Sequence, residues 1–362
     1  MNDQQILSTH SETRPSEANN RTRGDAYRGI FVIVSFAYEV VTGGVFLELP
    51  DFVPQFSTHL KLEGLNPAGS IKLKTAGALV QSLEDDGLIG PGSALIESTS
   101  GNLGVALATV CAARHYQVTL VTDPNANAVS VKMMRALGAE VVVVRDRDRN
   151  GGFLHTRIEY VRRRVAENPK LVWLNQYASP ANAAAHRDQT ATEVLAGFGA
   201  PDWLFVGAGT TGTLMGCVER FRDIPATTIV GVDAVGSVSF GGAPAPRRIP
   251  GLGTSRRPEI FCDDGSFHKV LVGEPDTIRV CRRVARDYGL LVGGSTGTVL
   301  AAVEEFGEQI APGSRVLAIS PDLGDRYLDT VYSDEWVTEH FGAGLLKSLD
   351  PLPLRKELVS CV

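Results

Sequence analysis

Lys72 stands in NPAGSIKLK (66–74), where a turn of Asn, Pro and Gly runs into an apparent helix start with Ser70 at its cap. A lysine in the first helical turn feels the positive end of the helix dipole, which lowers its amine pKa and suits it to imine formation. Most lysines are solvated surface groups; Lys74 and Lys132 follow no comparable turn. STSGNLG (98–104) crowds Thr99, Ser100 and Asn102 ahead of an apolar helical stretch. Such residues are favoured at an ordinary N-cap, and the same donors bind a carboxylate there. GAGTTGT (207–213) follows the strand-like DWLFV and supports two readings. As G-x-G-x-x-G, with Asp233 ending the next strand-like run, it matches a dinucleotide fingerprint. As a helix-opening loop carrying Thr210, Thr211 and Thr213, it suits the dianion of a phosphate monoester. GGSTGT (293–298) repeats the pattern and presents the hydroxyl of Ser295.

These loops need strands behind them and helices ahead. VTLVTD (118–123), EVVVVRD (140–146), DWLFVGAG (202–209) and TIVGVDA (228–234) are nearly continuous apolar runs, as in strands of a parallel sheet buried on both faces. Between them, NLGVALATVCAARHY, SVKMMRALGA and PANAAAHRDQTATEVLAGFG place apolar residues at three- and four-residue spacing. The alternation predicts an α/β fold of parallel-rich sheets flanked by helices, with ligands bound where strands end. The first 24 residues are polar and are expected to form a disordered arm, whereas the last 25 are undecided between packing and dangling.

Composition narrows the chemistry further. A chain of 362 residues, 43% hydrophobic and 21% charged, suffices for two lobes. Its net charge of -6, with signs mixed along the sequence, offers no basic stripe for nucleic acid, so small molecules are the expected partners. Five irregularly spaced cysteines and seven scattered histidines show neither a disulfide framework nor a metal-ligand spacing. With no apolar run of about 18 residues and no apolar segment near the start, a cytoplasmic protein without membrane contact is expected.

In order along the chain, N-P-x-G-S before a lysine, T-S-G-N, the Gly/Thr loop and G-G-S-x-G together resemble the cysteine synthase and cystathionine β-synthase family of fold-type II pyridoxal-phosphate enzymes, over roughly Val45 to Asp334. The resemblance implies a two-lobed fold, similar to tryptophan synthase β. Residues 25–64 and 178–335 would form the larger cofactor-phosphate domain and 65–177 a smaller mobile domain, with 1–24 an arm and 336–362 a tail. It also implies a homodimer. Lys72 matches the Schiff-base lysine, Asn102 the partner of the cofactor's phenolic oxygen, and Gly209, Thr210, Thr211, Gly212 and Thr213 the phosphate loop. Thr99, Ser100, Asn102 and Gln176 match the clamp on the substrate carboxylate. Ser295 matches the serine facing the pyridine nitrogen, where a neutral hydroxyl does not hold the ring protonated as a carboxylate would. The implied reaction is β-replacement: Lys72 removes the Cα proton, the β-substituent leaves, a nucleophile adds at Cβ and Lys72 returns the proton.

Departures from plain cysteine synthases indicate a branch. Leu103 follows T-S-G-N, and SIKLK has no acid after the lysine. LEGLNPAGSIKLKTA, NQY and RRIPGLGTS resemble enzymes that join O-phosphoserine to the amine of glutamate, toward 2,3-diaminopropionate for siderophores or peptide antibiotics. Two anionic substrates require further cationic and polar groups, for which Arg157 and Tyr177 are the candidates, although LHTRIEYVRRR also reads as a solvated helix face. Alternatives are a sulfhydrylase using O-acetylserine or O-phosphoserine, a nicotinamide oxidoreductase built on the glycine loop and Asp233, and a non-catalytic binding member of the family.

Overall fold

Each of the four apolar runs becomes a strand; three are buried over most of their length, and Glu140–Val143 is a half-buried strand at the edge of its sheet. The computed structural model describes residues 33–148 and 151–349. The strands are β1 (Phe46–Glu48), β2 (Ser57–Leu62), β3 (Ala94–Ser98), β4 (Gln117–Thr122), β5 (Glu140–Val143), β6 (Leu171–Trp173), β7 (Trp203–Gly207), β8 (Thr228–Ala234), β9 (His268–Val272) and β10 (Arg315–Ser320). The helices are α1 (Lys72–Asp85), α2 (Asn102–Ala113), α3 (Ala128–Ala136), α4 (Leu154–Glu167), α5 (Ala181–Ala185), α6 (Ala191–Gly197), α7 (Gly212–Phe221), α8 (Glu274–Tyr288), α9 (Gly294–Glu305), α10 (Asp334–Phe341) and α11 (Ala343–Ser348), with a π-helical turn, His186–Thr190, between α5 and α6.

Two sheets result. One has six strands in the order β1-β2-β10-β7-β8-β9, parallel throughout except for the antiparallel pair β1–β2. The other, β5-β4-β3-β6, is wholly parallel. One core joins β7, β8 and β10 to α8 and α9 on one face of the large sheet; a second joins β7 and β8 to α6 and α7 on the other. The small sheet is covered likewise, by α1, α2 and α3 on one side and by α4 on the other. Parallel connections of this kind leave the loops that follow β2, β3, β7 and β10 at the carboxyl ends of their strands.

The chain divides into two compact units, Met1–Ser35 and Phe36–Val362. Of the first, 33–35 are described and have no regular secondary structure. The arm expected over 1–24, the end of the tail and Cys361 lie outside the described residues. The described part of the tail packs: Val337 is buried, and Trp336, Phe341, Leu345, Leu346 and Leu349 lie against the core of the large sheet. Among the described residues no helix is long and apolar enough to cross a membrane.

One expectation is corrected here. Ser70 does not cap α1; the N-cap is Ile71, with no side-chain bond, and the Ser70 hydroxyl is buried without a partner. The reason is that Ser70 forms a backbone bridge with Asp322, while Ile71 N donates to Pro321 O at 2.8 Å. The start of α1 is thus set by the strand end beside it.

Candidate active site

Lys72 opens α1 and lines a cavity together with Thr99, Ser100, Asn102, Arg157, Gln176, Tyr177, Gly209, Thr210 and Ser295. These come from six separate stretches of sequence, and the loops after β2, β3 and β7 bring most of them to one place. Thr211, the N-cap of α7, and Gly212 and Thr213 in its first turn follow Thr210 without lining the cavity. A larger groove runs along α1 and α5, past Gln81 and Ala184, and contains none of Lys72, Asn102 or Ser295.

The three competing lysines separate cleanly. Lys132 is exposed. Lys74 is buried and donates to Glu193 at 2.6 Å and to Glu63 at 3.0 Å. The wholly buried Lys61 contacts the same two glutamates, so two cations and two carboxylates balance beneath the site. Lys72 has no such ion pair among the described residues, and burial alone lowers its pKa to about 8. The buried His186 beside this cluster is held well below its usual range, by burial and then by Lys72, Lys74 and Lys61. A hydrogen-bonded chain links it to the glycine loop: His186 to Thr75 at 3.0 Å, Thr75 to Asn182 at 3.3 Å, Asn182 to Thr210 at 3.0 Å.

The loop before α7 fits a phosphate monoester. Thr211 is in the left-handed region, with φ 65, and acts as the N-cap without a side-chain bond. Its hydroxyl is buried with no partner, which calls for a ligand. The first amides of α7 have no intrahelical acceptor and carry the positive end of its dipole. A Cβ at Gly212 would fall on Asn182, and one at Gly209 would crowd Gly251 O at 3.0 Å. Asp233, the ribose-binding acid of the dinucleotide reading, is wholly buried and does not line the cavity.

The T-S-G-N loop is not a simple cap. The N-cap of α2 is Gly101, at φ 152, with no side-chain bond. Thr99 Oγ1 accepts from Gly101 N at 3.1 Å and Gly104 N at 2.9 Å, which uses both lone pairs and leaves its O–H to donate. Asn102 lines the cavity with its amide fixed on both sides: its Nδ2 donates to Asp322 at 2.7 Å and its Oδ1 accepts from Arg326 at 2.5 Å. Gln176 donates from Nε2 to Ser98 O at 2.9 Å, and its backbone N donates to Glu97 at 3.1 Å. Burial pushes the Glu97 carboxyl up to about 7.

Arg157 departs from the solvated face that its helix suggested. It is 7% exposed. Leu154, Ile158 and Tyr177 form an apolar patch beside it, and α4 turns this side to the small sheet because the apolar positions of LHTRIEYVRRR fall there. Asp123 lies 3.4 Å from Nη1, an ion-pair distance without hydrogen-bond geometry, so Nε and Nη1 are both buried and unbonded. Arg157 thus stands at the cavity wall with two guanidinium nitrogens that have no hydrogen-bond partner.

Sequence reasoning passed over Asp322, Arg326 and Tyr327, which follow β10, and also Asn127, which caps α3 and donates to Arg326 O at 2.8 Å. The strand-like run RVLAIS before Pro321 and Asp322 was the available signal, since ligands gather where parallel strands end.

The pyridoxal-phosphate dependent enzyme family model matches residues 46–322. The chain is 42% identical over 279 residues to an N-(2-amino-2-carboxyethyl)-L-glutamate synthase of Ralstonia nicotianae, covering 76% of this chain and 82% of that one. It is 41% identical over 305 residues to the enzyme of the same name from Cupriavidus metallidurans, covering 83% and 89%. The crystal structure of O-ureido-L-serine synthase superposes with a TM-score of 0.76 at 29% identity, covering 84% of this chain and 98% of the other. A phosphate-fitted loop, a cavity lysine of lowered pKa and this kinship replace the dinucleotide alternative and agree on the cofactor: the chain belongs to the family of pyridoxal-phosphate dependent enzymes, with pyridoxal 5'-phosphate as its cofactor.

Proposed function

We propose that this enzyme joins O-phospho-L-serine to L-glutamate, releasing phosphate and forming N-(2-amino-2-carboxyethyl)-L-glutamate. The observation that carries this reading is Arg157, a buried guanidinium at the cavity wall with two unbonded donors. The names of the two bacterial relatives supply the product.

Lys72 would hold the cofactor covalently, Gly209 to Thr213 its phosphate, Asn102 its phenolic oxygen and Ser295 its ring nitrogen. When bound, the cofactor supplies a sink for the negative charge that develops at Cα. Once the substrate amine displaces it from the cofactor, Lys72 Nζ is a free amine whose pKa of about 8 would let it take the Cα proton near neutral pH. Phosphate leaves Cβ with the bonding pair, and Arg157 receives that anion. The glutamate amine bonds to Cβ and sheds a proton, and Lys72 Nζ returns a proton to Cα. The Thr99 O–H, Ser100, Asn102 and Gln176 hold the substrate carboxylate, and Tyr177 walls the cavity beside Arg157. Residues 65–177, which include the small sheet, would close over the substrate as a mobile lobe against 25–64 and 178–335.

The same proposal places the enzyme in a reducing cytoplasm as a homodimer, supplying 2,3-diaminopropionate for a siderophore or peptide antibiotic. Supporting the compartment, Cys111, Cys217 and Cys281 are buried as free thiols. The test is product analysis by mass spectrometry after the holoenzyme meets O-phosphoserine with glutamate or with sulfide. A glutamate adduct with equimolar phosphate is expected; cysteine formed from sulfide, with no glutamate adduct, would make the enzyme a sulfhydrylase.

A further inference from the structure

Against the glycine loop, the side chain of Asn182 is wholly buried at the second position of α5. Its Nδ2 donates to Gln176 O at 2.8 Å and to Thr210 Oγ1 at 3.0 Å, which uses both amide protons. Gln176 O is a main-chain carbonyl and can only accept, so the amide cannot turn over. Its Oδ1 is packed where a Cβ at Gly212 would fall, against the first turn of α7. Thr75 O–H faces Oδ1 at 3.3 Å, and the Thr75 oxygen in turn accepts from His186 Nε2 at 3.0 Å, leaving His186 Nδ1 to accept from Thr190 at 3.1 Å. Burial keeps His186 neutral, as that order requires. From Thr190 to Thr210 every proton points the same way.

The last member, Thr210, accepts from Asn182 and has no other hydrogen-bond partner among the described residues. Of Thr210, Thr211 and Thr213, it alone lines the cavity. We infer that Asn182 is a positioning residue that holds Thr210 as a donor, so that the Thr210 O–H meets a phosphate oxygen in the cavity. This rests on the reading that the glycine loop receives phosphate. A threonine free to rotate can point its proton anywhere; one whose oxygen faces a fixed N–H turns its proton away from it, here toward the cavity. A phosphate dianion has only lone pairs to offer and suits that proton. Two phosphates meet this cavity in the proposed reaction, the cofactor's and that of O-phosphoserine, and both present the same acceptor. In Asn182→Asp the shape is kept, but the new group carries at most one proton, which Gln176 O claims. Its lone pairs then draw the Thr210 proton inward, away from the cavity.

The experiment compares two pairs of ligands that differ in the phosphate. The full-length apoprotein is titrated with pyridoxal phosphate and with pyridoxal, and the holoenzyme with O-phosphoserine and with L-serine, following the cofactor absorbance. Asn182→Asp is expected to weaken the phosphate-bearing member of at least one pair by about 10–100-fold, as loss of a hydrogen bond to a charged group does, while its partner changes little. The first pair reports the cofactor's phosphate and the second the substrate's. In a Thr210→Val background most of that loss should disappear, because the two residues act as one unit. No loss, or an equal loss in both members of each pair, overturns the inference; so does a loss of undiminished size in T210V. If T210V alone leaves both preferences for phosphate unchanged, the phosphate reading of Thr210 falls and the inference with it. Should N182D fail to fold, Asn182→Ser, whose single proton goes to Gln176 O, is read by the same criteria.

Discussion

Lys72 should be the most reactive lysine of the apoprotein, by a margin set by its surroundings. With a pKa of about 8, roughly a tenth of its amine is neutral at pH 7, against ~0.03% for an ordinary lysine, a ratio of about 300. Trinitrobenzenesulfonate labelling of the apoprotein, quantified peptide by peptide, reads this directly. The Lys72 rate should rise about tenfold per pH unit below 8 and level off above it, while the rate at exposed Lys132 is still climbing. Stability follows with a defined sign. The folded pKa is depressed, so the charged amine costs stability in full below pH 8, and between 8 and 10.5 the unfolded chain holds a proton that the folded one has released. Lys72→Met should therefore exceed the wild-type apoprotein in stability at pH 7, by no more than ~3 kcal/mol, and the margin should shrink as the pH rises through that window. A Lys72 labelling curve superimposable on that of Lys132 would refute the reasoning.

Arg157→Gln should retain the fold and the cofactor spectrum but lose about 100-fold in kcat/KM for O-phosphoserine, since a charged hydrogen-bond donor is worth ~1.5–3 kcal/mol; steady-state kinetics with phosphate release decides it. Glu63→Gln leaves Lys61 and Lys74 to share Glu193 alone, and a loss of ~3 kcal/mol is expected in urea unfolding of the apoprotein. Gly293→Ala forces a methyl onto the Asp322 carboxylate and should weaken cofactor retention on gel filtration, with ~1–3 kcal/mol lost in stability.

The strands VTLVTD, DWLFVGAG and TIVGVDA were legible because burial on both faces demands continuous apolar residues, and EVVVVRD, a half-buried edge strand, was legible by its β-branched run. β2, STHLKL, was not, because its Lys61 is buried against Glu63, just past the strand, and Glu193 of α6, which only the folded chain brings to it. The glycine loops could be located as ligand loops, yet the choice between a dinucleotide and a phosphate monoester needed the free Thr211 hydroxyl and the buried Asp233. Lys72 stood out by its turn at the start of α1, whereas the burial that lowers its pKa could not be seen in the sequence. Arg157 could be proposed from chemistry alone, but composition favoured a wet helix face. Which side of an amphipathic helix meets a cavity depends on the sheet beneath it. Asp322 went unnoticed because an acid after a strand is common, and its importance lies in a Gly293 gap about thirty residues away.

The last strand made is the one the large sheet needs in its middle, since β10 sits between β2 and β7. While the chain grows from the ribosome, β2 and β7 each have an unsatisfied inner edge and cannot pair with one another. Some 250 residues separate β2 from the strand that will join them. Nascent chains would therefore present apolar edges until synthesis is nearly complete, which makes this half of the molecule a post-translational folder and a natural client for chaperones. A premature stop before Arg315 removes more than the end of the protein: it leaves two half-sheets with no way to become one.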